Sequence, residues 1–268
     1  MSKLDSFFAT VKLPTMPEVA HALIQTLNDE DVPIAKVRDI LAKDPALTAK
    51  LLRMANSAQF GLRRGVSNLD DAISLVGMDK VRTMSLCACM SESFPVLPGL
   101  DRQEFWRTSM HCAGYSQWLA GGLGMDGQTA WLTGMMVRLG ELLIGQASPE
   151  SLAEIEALPH LPGGRWEREK RLLGFSEGQV TAELARRWNF PVPMVQALES
   201  ASDPLTNGTF SRLGAIVHLA ELMAEMPKPS VDVVDTLPLD VVAALLLDLD
   251  WMRSRFPSTE SFVDLTVH

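Results

Sequence analysis

A chain of 268 residues with 24 Lys and Arg against 33 Asp and Glu carries a formal net charge of -9. That balance argues against generic binding of DNA or RNA, which needs clustered cations to neutralise phosphate. Three cysteines make no disulfide framework and fit a reducing cytosol, while 47% hydrophobic and 21% charged residues argue against global disorder.

The opening MSKLDSFFATVKLP lacks the apolar core of a signal peptide. The longest apolar run, Val241 to Leu247, is far short of the ~20 residues that span a bilayer. The expectation is a cytoplasmic bacterial protein with no membrane partner.

Helical punctuation then recurs along the chain. Residues 17–29 set Ala20, Leu23, Ile24 and Leu27 on one face, and residues 33–43 do so with Ile34, Val37, Ile40 and Leu41. Asp44-Pro45 reads as an N-cap with proline in the first helical position. The helix behind it carries Leu47, Leu51, Met54 and Ala55 inward and stops near Gly61. Asn68 caps a short helix ending at Gly77, and Asp79 is expected to cap the next.

Prolines and a glycine in 93–100 separate two helical subdomains, about 10–95 and 100–205, read as packed into one unit. Asp101 with Glu104 is a capping-box pattern opening a long helix through Trp118. Asp126 opens another toward Gln146, Ser148-Pro149 a shorter one, and Ser176 with Gln179 is a second capping box. Gly121, Gly122 and Gly124 mark an inter-helix turn, since no strand precedes them and no lysine follows as in a phosphate loop. Residues 194–202, 211–226 and 239–255 complete the helices, with Val231 to Val234 the one short strand candidate. The fold class is all-α.

Several residues invite chemistry. Cys87, Cys89, His111 and Cys112 are of zinc-ligand type. Positions two apart on a helix diverge by roughly 200° and adjacent ones also diverge, so buried packing explains the cysteines better than chelation. His218 and Glu221, three apart, read as a hydrogen-bonded pair, because no third ligand accompanies them. His21 and His160 have no companions at ligand spacing. The alternating charges of Arg165 to Arg171 read as a solvated helix face. Asn56 and Ser57 either close the end of their helix or form a recognition surface, and Arg63-Arg64 is a small basic pair able to meet an acidic partner.

The stretches DPALTAKLLRMANSA, SNLDDAISLVG, FWRTSMHCAGYSQWLA, TGMMVRLGELLI and LGFSEGQVTAELARRW, in this order, resemble the HDOD family. These are HD-related output domains of bacterial signalling proteins and degenerate relatives of HD phosphohydrolases. The resemblance covers about 10–205; residues 206–268 are expected as a helical C-terminal extension packed on the domain. Relatives with an intact metal centre place a histidine on one helix, a His-Asp pair on another and a distant aspartate around a divalent ion that activates water. By the resemblance, Thr108 occupies the first histidine's place, Val137 the second's, and Arg138 the aspartate's.

Valine cannot ligate, and a permanently charged guanidinium repels a cation. The resemblance therefore implies no metal, no cofactor and no catalytic residue. It implies a non-catalytic output module that works by contact with signalling proteins. Family members are often fused to receiver or cyclic-di-GMP domains, none of which fits in this chain, so the input is expected from a separate protein or a small ligand. Arg138 then either pairs with a nearby acid (Glu141, Glu104 or Asp126) or binds an anion such as a nucleotide phosphate or a partner carboxylate. A phosphohydrolase with non-standard ligands is the alternative from another class.

Overall fold

The computed structural model describes residues 2–29, 31–56, 65–157, 161–206, 208–227 and 230–262. The described residues are 70% helical, with no strand among them. Two compact units divide it: one formed by the described parts of Met1–Leu13, Val96–Arg186 and Val192–Phe262, the other by Pro14–Pro95 with Arg187–Pro191.

Helix α1 (Lys3–Thr10) belongs to the first unit. Ser2 and Asp5 satisfy each other's backbone N–H groups at its start, at 3.0 and 2.7 Å, a capping box. Phe7 packs on Phe175, ring centroids 5.3 Å apart.

The second unit holds α2 (Glu18–Leu27), α3 (Ile34–Leu41), α4 (Pro45–Ala55), α5 (Leu69–Val76) and α6 (Met78–Ser93). Asp44 Oδ1 accepts from Leu47 N at 2.9 Å and Asn68 Oδ1 from Asp71 N at 2.8 Å, so both expected caps form. Asp79 does not cap. The chain reverses at Gly77 with φ +97°, α6 begins at Met78, and Asp79 sits in its first turn, paired with Arg82 at 2.9 Å. Helix α6 buries nearly its whole middle, from Val81 to Met90 including Cys87 and Cys89, and packs against α2, α4 and α5. Trp188 returns to meet Phe94 at 6.4 Å.

Asn56 ends α4 as expected of a local backbone binder. Its Nδ2 donates to Leu52 O and Val66 O at 2.8 and 2.7 Å, and its Oδ1 accepts from Val66 N at 2.7 Å. Ser57, Gly61, Arg63 and Arg64 lie outside the described residues.

The first unit continues with α7 (Arg102–Gly122), α8 (Gly127–Met136), α9 (Leu139–Ala147), α10 (Pro149–Ile155) and α11 (Gly164–Leu172). It ends with α12 (Glu177–Arg187), α13 (Val192–Ser200), α14 (Arg212–Ala224), α15 (Leu239–Leu245) and α16 (Leu249–Ser254). Asp101 accepts from Gln103 N and Glu104 N at 2.9 and 3.1 Å, and Glu104 turns to Arg107 instead of closing the box. The Ser176–Gln179 box closes in both directions, at 2.9 and 3.4 Å.

Helices α7, α8 and α14 form the core of this unit. Helix α14 is buried along most of its length, so part of 206–268 is central to the unit and not only an outer layer. The outer end is aromatic: Trp251 stacks on Trp118 at 5.0 Å and covers Gly122, where a Cβ would strike the indole ring.

Three expected elements differ. Val231 to Val234 is part of a 3-10 helix, Val231–Thr236, with the neighbours Val233 and Val234 both buried, which a half-buried strand does not do. The helix expected over 239–255 breaks at Leu246, which takes a left-handed φ of +59° and closes α15. The helix expected from Asp126 to Gln146 breaks at Val137–Arg138, between α8 and α9.

Candidate functional site

The break between α8 and α9 falls on the two residues that the family resemblance places at the metal position. It is held open by Thr181 of α12, whose hydroxyl donates to Val137 O at 2.9 Å and accepts from Gly140 N at 2.7 Å. One side chain thus satisfies a carbonyl and an amide that a continuous helix would have paired internally. Gly140 is required here, because a Cβ would strike the backbone carbonyl of Glu177.

Val137 is fully buried and points no polar atom anywhere; Thr108 is buried on α7. Arg138, also buried, turns its guanidinium inward. Its Nη2 donates to Glu141 Oε2 at 2.9 Å, and its Nε lies 3.6 Å from Glu221 Oε1. It also lies 5.5 Å from the centre of the Phe105 ring, a cation–π distance. Of the acids named as its candidate partners, Glu141 is the one it meets. Glu104 pairs with Arg107, and Asp126 caps α8.

A second guanidinium shares the cluster. Arg165 of α11, 3% exposed in its side chain, reaches Glu141 at 2.8 Å, Glu156 at 2.7 Å and Glu177 at 3.1 Å. Glu169 and Glu225 lie at 3.8 and 4.0 Å. The expectation of a solvated face over 165–171 is therefore corrected: Arg165, Trp166 and Glu169 are buried. A charge alternation with the right period for a surface helix also suits a helix that plugs an ionic core, and periodicity does not separate the two. Glu169 Oε2 accepts from Glu177 N at 2.8 Å at the start of α12, and Trp166 Nε1 donates to Glu177 Oε1 at 3.3 Å.

Carboxylates outnumber guanidiniums. Glu141, Glu156, Glu169, Glu177, Glu221 and Glu225 face Arg138 and Arg165. Burial would raise Glu141, but Arg165 and then Arg138 overcome it and hold this carboxyl below its ordinary value. Glu221 and Glu177 have no such surplus of partners. Burial pushes them up to about 8 and about 7, against the pull of Arg138 on the first and Arg165 on the second. Burial, followed by the charge of Glu177, pushes Glu169 up as well. Neither oxygen of Glu221 makes a hydrogen bond among the described residues. The Cys112 thiol beside it is raised by burial and then by the Glu221 charge, so it is no ready nucleophile.

His218 and Glu221 do not pair, contrary to expectation. His218 Nδ1 lies 2.7 Å from Ala201 O and must carry the proton, since a carbonyl only accepts; the ring stacks on Trp166 at 4.9 Å. Burial lowers its pKa. The three-residue step between them turns His218 toward the end of α13 while Glu221 faces α7 and Arg138. His160 lies outside the described residues. The three cysteines are buried and free, and no group of three or more His, Cys, Asp or Glu suited to a metal occurs among the described residues.

Above the cluster opens a cleft of about 620 Å³, in the size range of small-molecule sites. One wall is a polar stripe of α7 at helical spacing, Glu104, Arg107, Thr108 and His111. Arg138 and Arg165 form the floor. Glu156, Glu225 and the segment after it, Met226-Pro227, close the far side with Thr259 and Glu260. Sequence reasoning missed Arg165, Glu177 and Glu225. Arg165 lay in a charged run beside the buried Trp166, whereas Glu177 and Glu225 are glutamates with no such local signal.

The arrangement has the all-helical build of known relatives. A family model described as the HDOD domain matches residues 13–204. A Shewanella amazonensis SB2B protein, provisionally assigned as a phosphohydrolase, is 27% identical, with a TM-score of 0.74 over 94% of this chain and 92% of its own. A Geobacter sulfurreducens HDOD domain protein of unknown function shares the fold at 22% identity and a TM-score of 0.73, over 96% of this chain and 88% of its own. An uncharacterized Treponema pallidum protein is 25% identical over 193 residues. That stretch is 69% of this chain and 37% of the relative's length, so the chain spans little more than a third of that curated relative. No described helix is long and apolar enough to cross a membrane. With most of its length matched by the family model, this chain belongs to the HDOD domain family.

Proposed function

We propose that the chain is a non-catalytic output module of bacterial signal transduction that acts by protein–protein contact. The single observation that carries this reading is the guanidinium of Arg138. It stands where the family resemblance puts a metal-binding aspartate and is ion-paired with Glu141 at 2.9 Å and Glu221 at 3.6 Å. A guanidinium so placed supplies the positive charge that a divalent ion would bring, but activates no water. Val137 and Thr108 beside it offer no imidazole.

The test is the metal content of the purified protein together with turnover on nucleotides and cyclic dinucleotides in the presence of Mn²⁺. Substoichiometric metal without hydrolysis is the expected result. Stoichiometric metal with turnover overturns the reading in favour of a phosphohydrolase with non-standard ligands, the assignment carried provisionally by the Shewanella relative. Capture of signalling proteins from the native host by the full chain identifies the partner.

A further inference from the structure

The floor of the cleft is engaged from within, since Arg138 and Arg165 turn toward Glu141, Glu177 and Glu221. One wall differs, because it is built from the end of the described chain. Thr259 and Glu260 line the cleft on a segment that runs from α16 to Phe262 across α7. His111, Tyr115 and Trp118 form one stripe of α7, at i, i+4 and i+7. Phe262 meets His111 and Tyr115, with ring centroids 6.2 and 4.9 Å apart. Phe256 meets Tyr115 and Trp118 at 5.7 and 5.8 Å. Gly114 leaves the notch that admits Phe262, because a Cβ there would strike the phenyl ring.

The segment meets α7 with its rings, while its backbone bonds stay local. Arg255 N donates to Trp251 O at 2.9 Å, Glu260 N to Ser258 Oγ at 3.3 Å and Phe262 N to Thr259 O at 3.1 Å. Phe256 and Phe262 are half-buried, and Ser258 and Glu260 between them are exposed. Met252 of α16 is fully buried, so the chain is anchored ahead of this segment. On the covered stripe, Tyr115 Oη and Trp118 Nε1 are buried without a hydrogen-bond partner among the described residues. Buried Tyr and Trp polar atoms ordinarily find one, and leaving them without it costs stability that water restores on opening. Half-buried rings, local backbone bonds and unpaired polar atoms beneath mark a unit that opens at low cost.

We propose that residues 255–262 are a strap that opens while the rest of its unit stays folded. Phe262 leaves the Gly114 notch, Thr259 and Glu260 move away from the cleft, and the aromatic stripe of α7 is bared. One movement thus controls access both to the cleft and to Tyr115 and Trp118. The inference goes beyond the module reading and stands without it, since the same strap would gate a hydrolase.

Tyr115 is the one tyrosine in the sequence and is fully buried. Its slow nitration by tetranitromethane in the full chain, read by mass, therefore reports opening. In the wild type the rate is expected to stay constant with urea well below the unfolding midpoint, as a local opening requires. A rate that climbs with urea in step with global unfolding overturns the inference. Gly114→Ala evicts Phe262 while raising helix propensity. It is expected to keep the urea midpoint and to speed nitration by about tenfold or more, the scale of losing a buried phenyl contact. Phe262→Ala, the second variant, should do the same. Gly121→Ala, on the same helix with open space at its Cβ, is the control and should match wild type. His111 meets Phe262 and lines the cleft, so its reactivity toward diethyl pyrocarbonate should rise in the same two variants. Nitration of both variants no faster than the control, or unaltered His111 reactivity, overturns the inference. The module reading fails on a different result, metal-dependent turnover, whether or not the strap opens.

Discussion

One oxygen of Glu141, Oε2, is held by Arg138 at 2.9 Å and by Arg165 at 2.8 Å. The first contact is local, three residues apart on the chain, and the second joins α9 to α11. A carboxylate shared by two buried guanidiniums costs little to keep charged; without it Arg165 keeps Glu156 and Glu177, but Arg138 is left with Glu221 at 3.6 Å. Removing one partner of a buried pair leaves the other charge uncompensated, a loss of ~3–5 kcal/mol. Glu141→Gln is therefore expected to lower unfolding stability by about that amount, measured by urea denaturation of the full chain. A change below about 1 kcal/mol would mean that the other glutamates replace it.

Glu221 gives the opposite pH dependence. Burial raises its folded pKa to about 8, above the ordinary carboxyl value of 4.5. Its contribution is fully present below the unfolded pKa and is lost as pH rises toward the folded one. Between those limits the folded state holds one more proton than the unfolded, and stability falls by about 1 kcal/mol per pH unit. Glu177, raised to about 7, acts in the same direction over a narrower window. Glu221→Gln, uncharged at every pH, is expected to flatten the slope between about pH 5 and 8. An unchanged slope in this variant would place the titration elsewhere.

Thr181 is the staple of the α8–α9 break. Replacing it with Val keeps its shape and leaves Val137 O and Gly140 N unpaired in the interior, each at ~1–3 kcal/mol. Thr181→Val should speed hydrogen exchange at Gly140 and lower Tm, and Thr181→Ser should restore both. Equal exchange in all three proteins would show that another group satisfies Gly140.

Asn56 joins the end of α4 to the chain ten residues later through two hydrogen bonds to Val66 at 2.7 Å and bonds back to Leu52 O at 2.8 Å. Asn56→Ala is expected to cost about 1–2 kcal/mol, typical of a lost cap. Asn56→Asp retains the bond from Val66 N but loses both donated ones, so its stability should fall between those of wild type and Asn56→Ala. An alanine variant as stable as wild type would leave recognition as the remaining role for this side chain.

The helices were legible because their signals are local. Asp44-Pro45, Asn68 with Gly77, and Ser176 with Gln179 each act within four residues or mark the two ends of one helix, and the structure places them as the spacing predicts. Most of the misreadings share a cause. Whether Arg165 to Arg171 faces water, whether His218 meets Glu221, and whether a helix continues through Val137 depend on partners far away in the chain; the stop at the exposed Leu246 is instead a local left-handed turn bonded back to Val242 and Ala243. Glu141 lies 24 residues before Arg165, and Thr181 lies 41 residues after Gly140. No periodicity encodes those separations.

By itself the sequence determined the helical class, most helix ends, the family resemblance and the absence of a His-Asp pair, since capping, apolar period and residue identity are properties of neighbouring positions. Only the tertiary structure decided that Arg138 is spent on Glu141 and Glu221, that Arg165 is buried, and that Glu141, Glu177 and Glu221 converge on these arginines beneath an open cleft. Charge compensation in an interior is set by which side chains converge on one volume, and that convergence exists only once α7, α9, α11, α12 and α14 have packed.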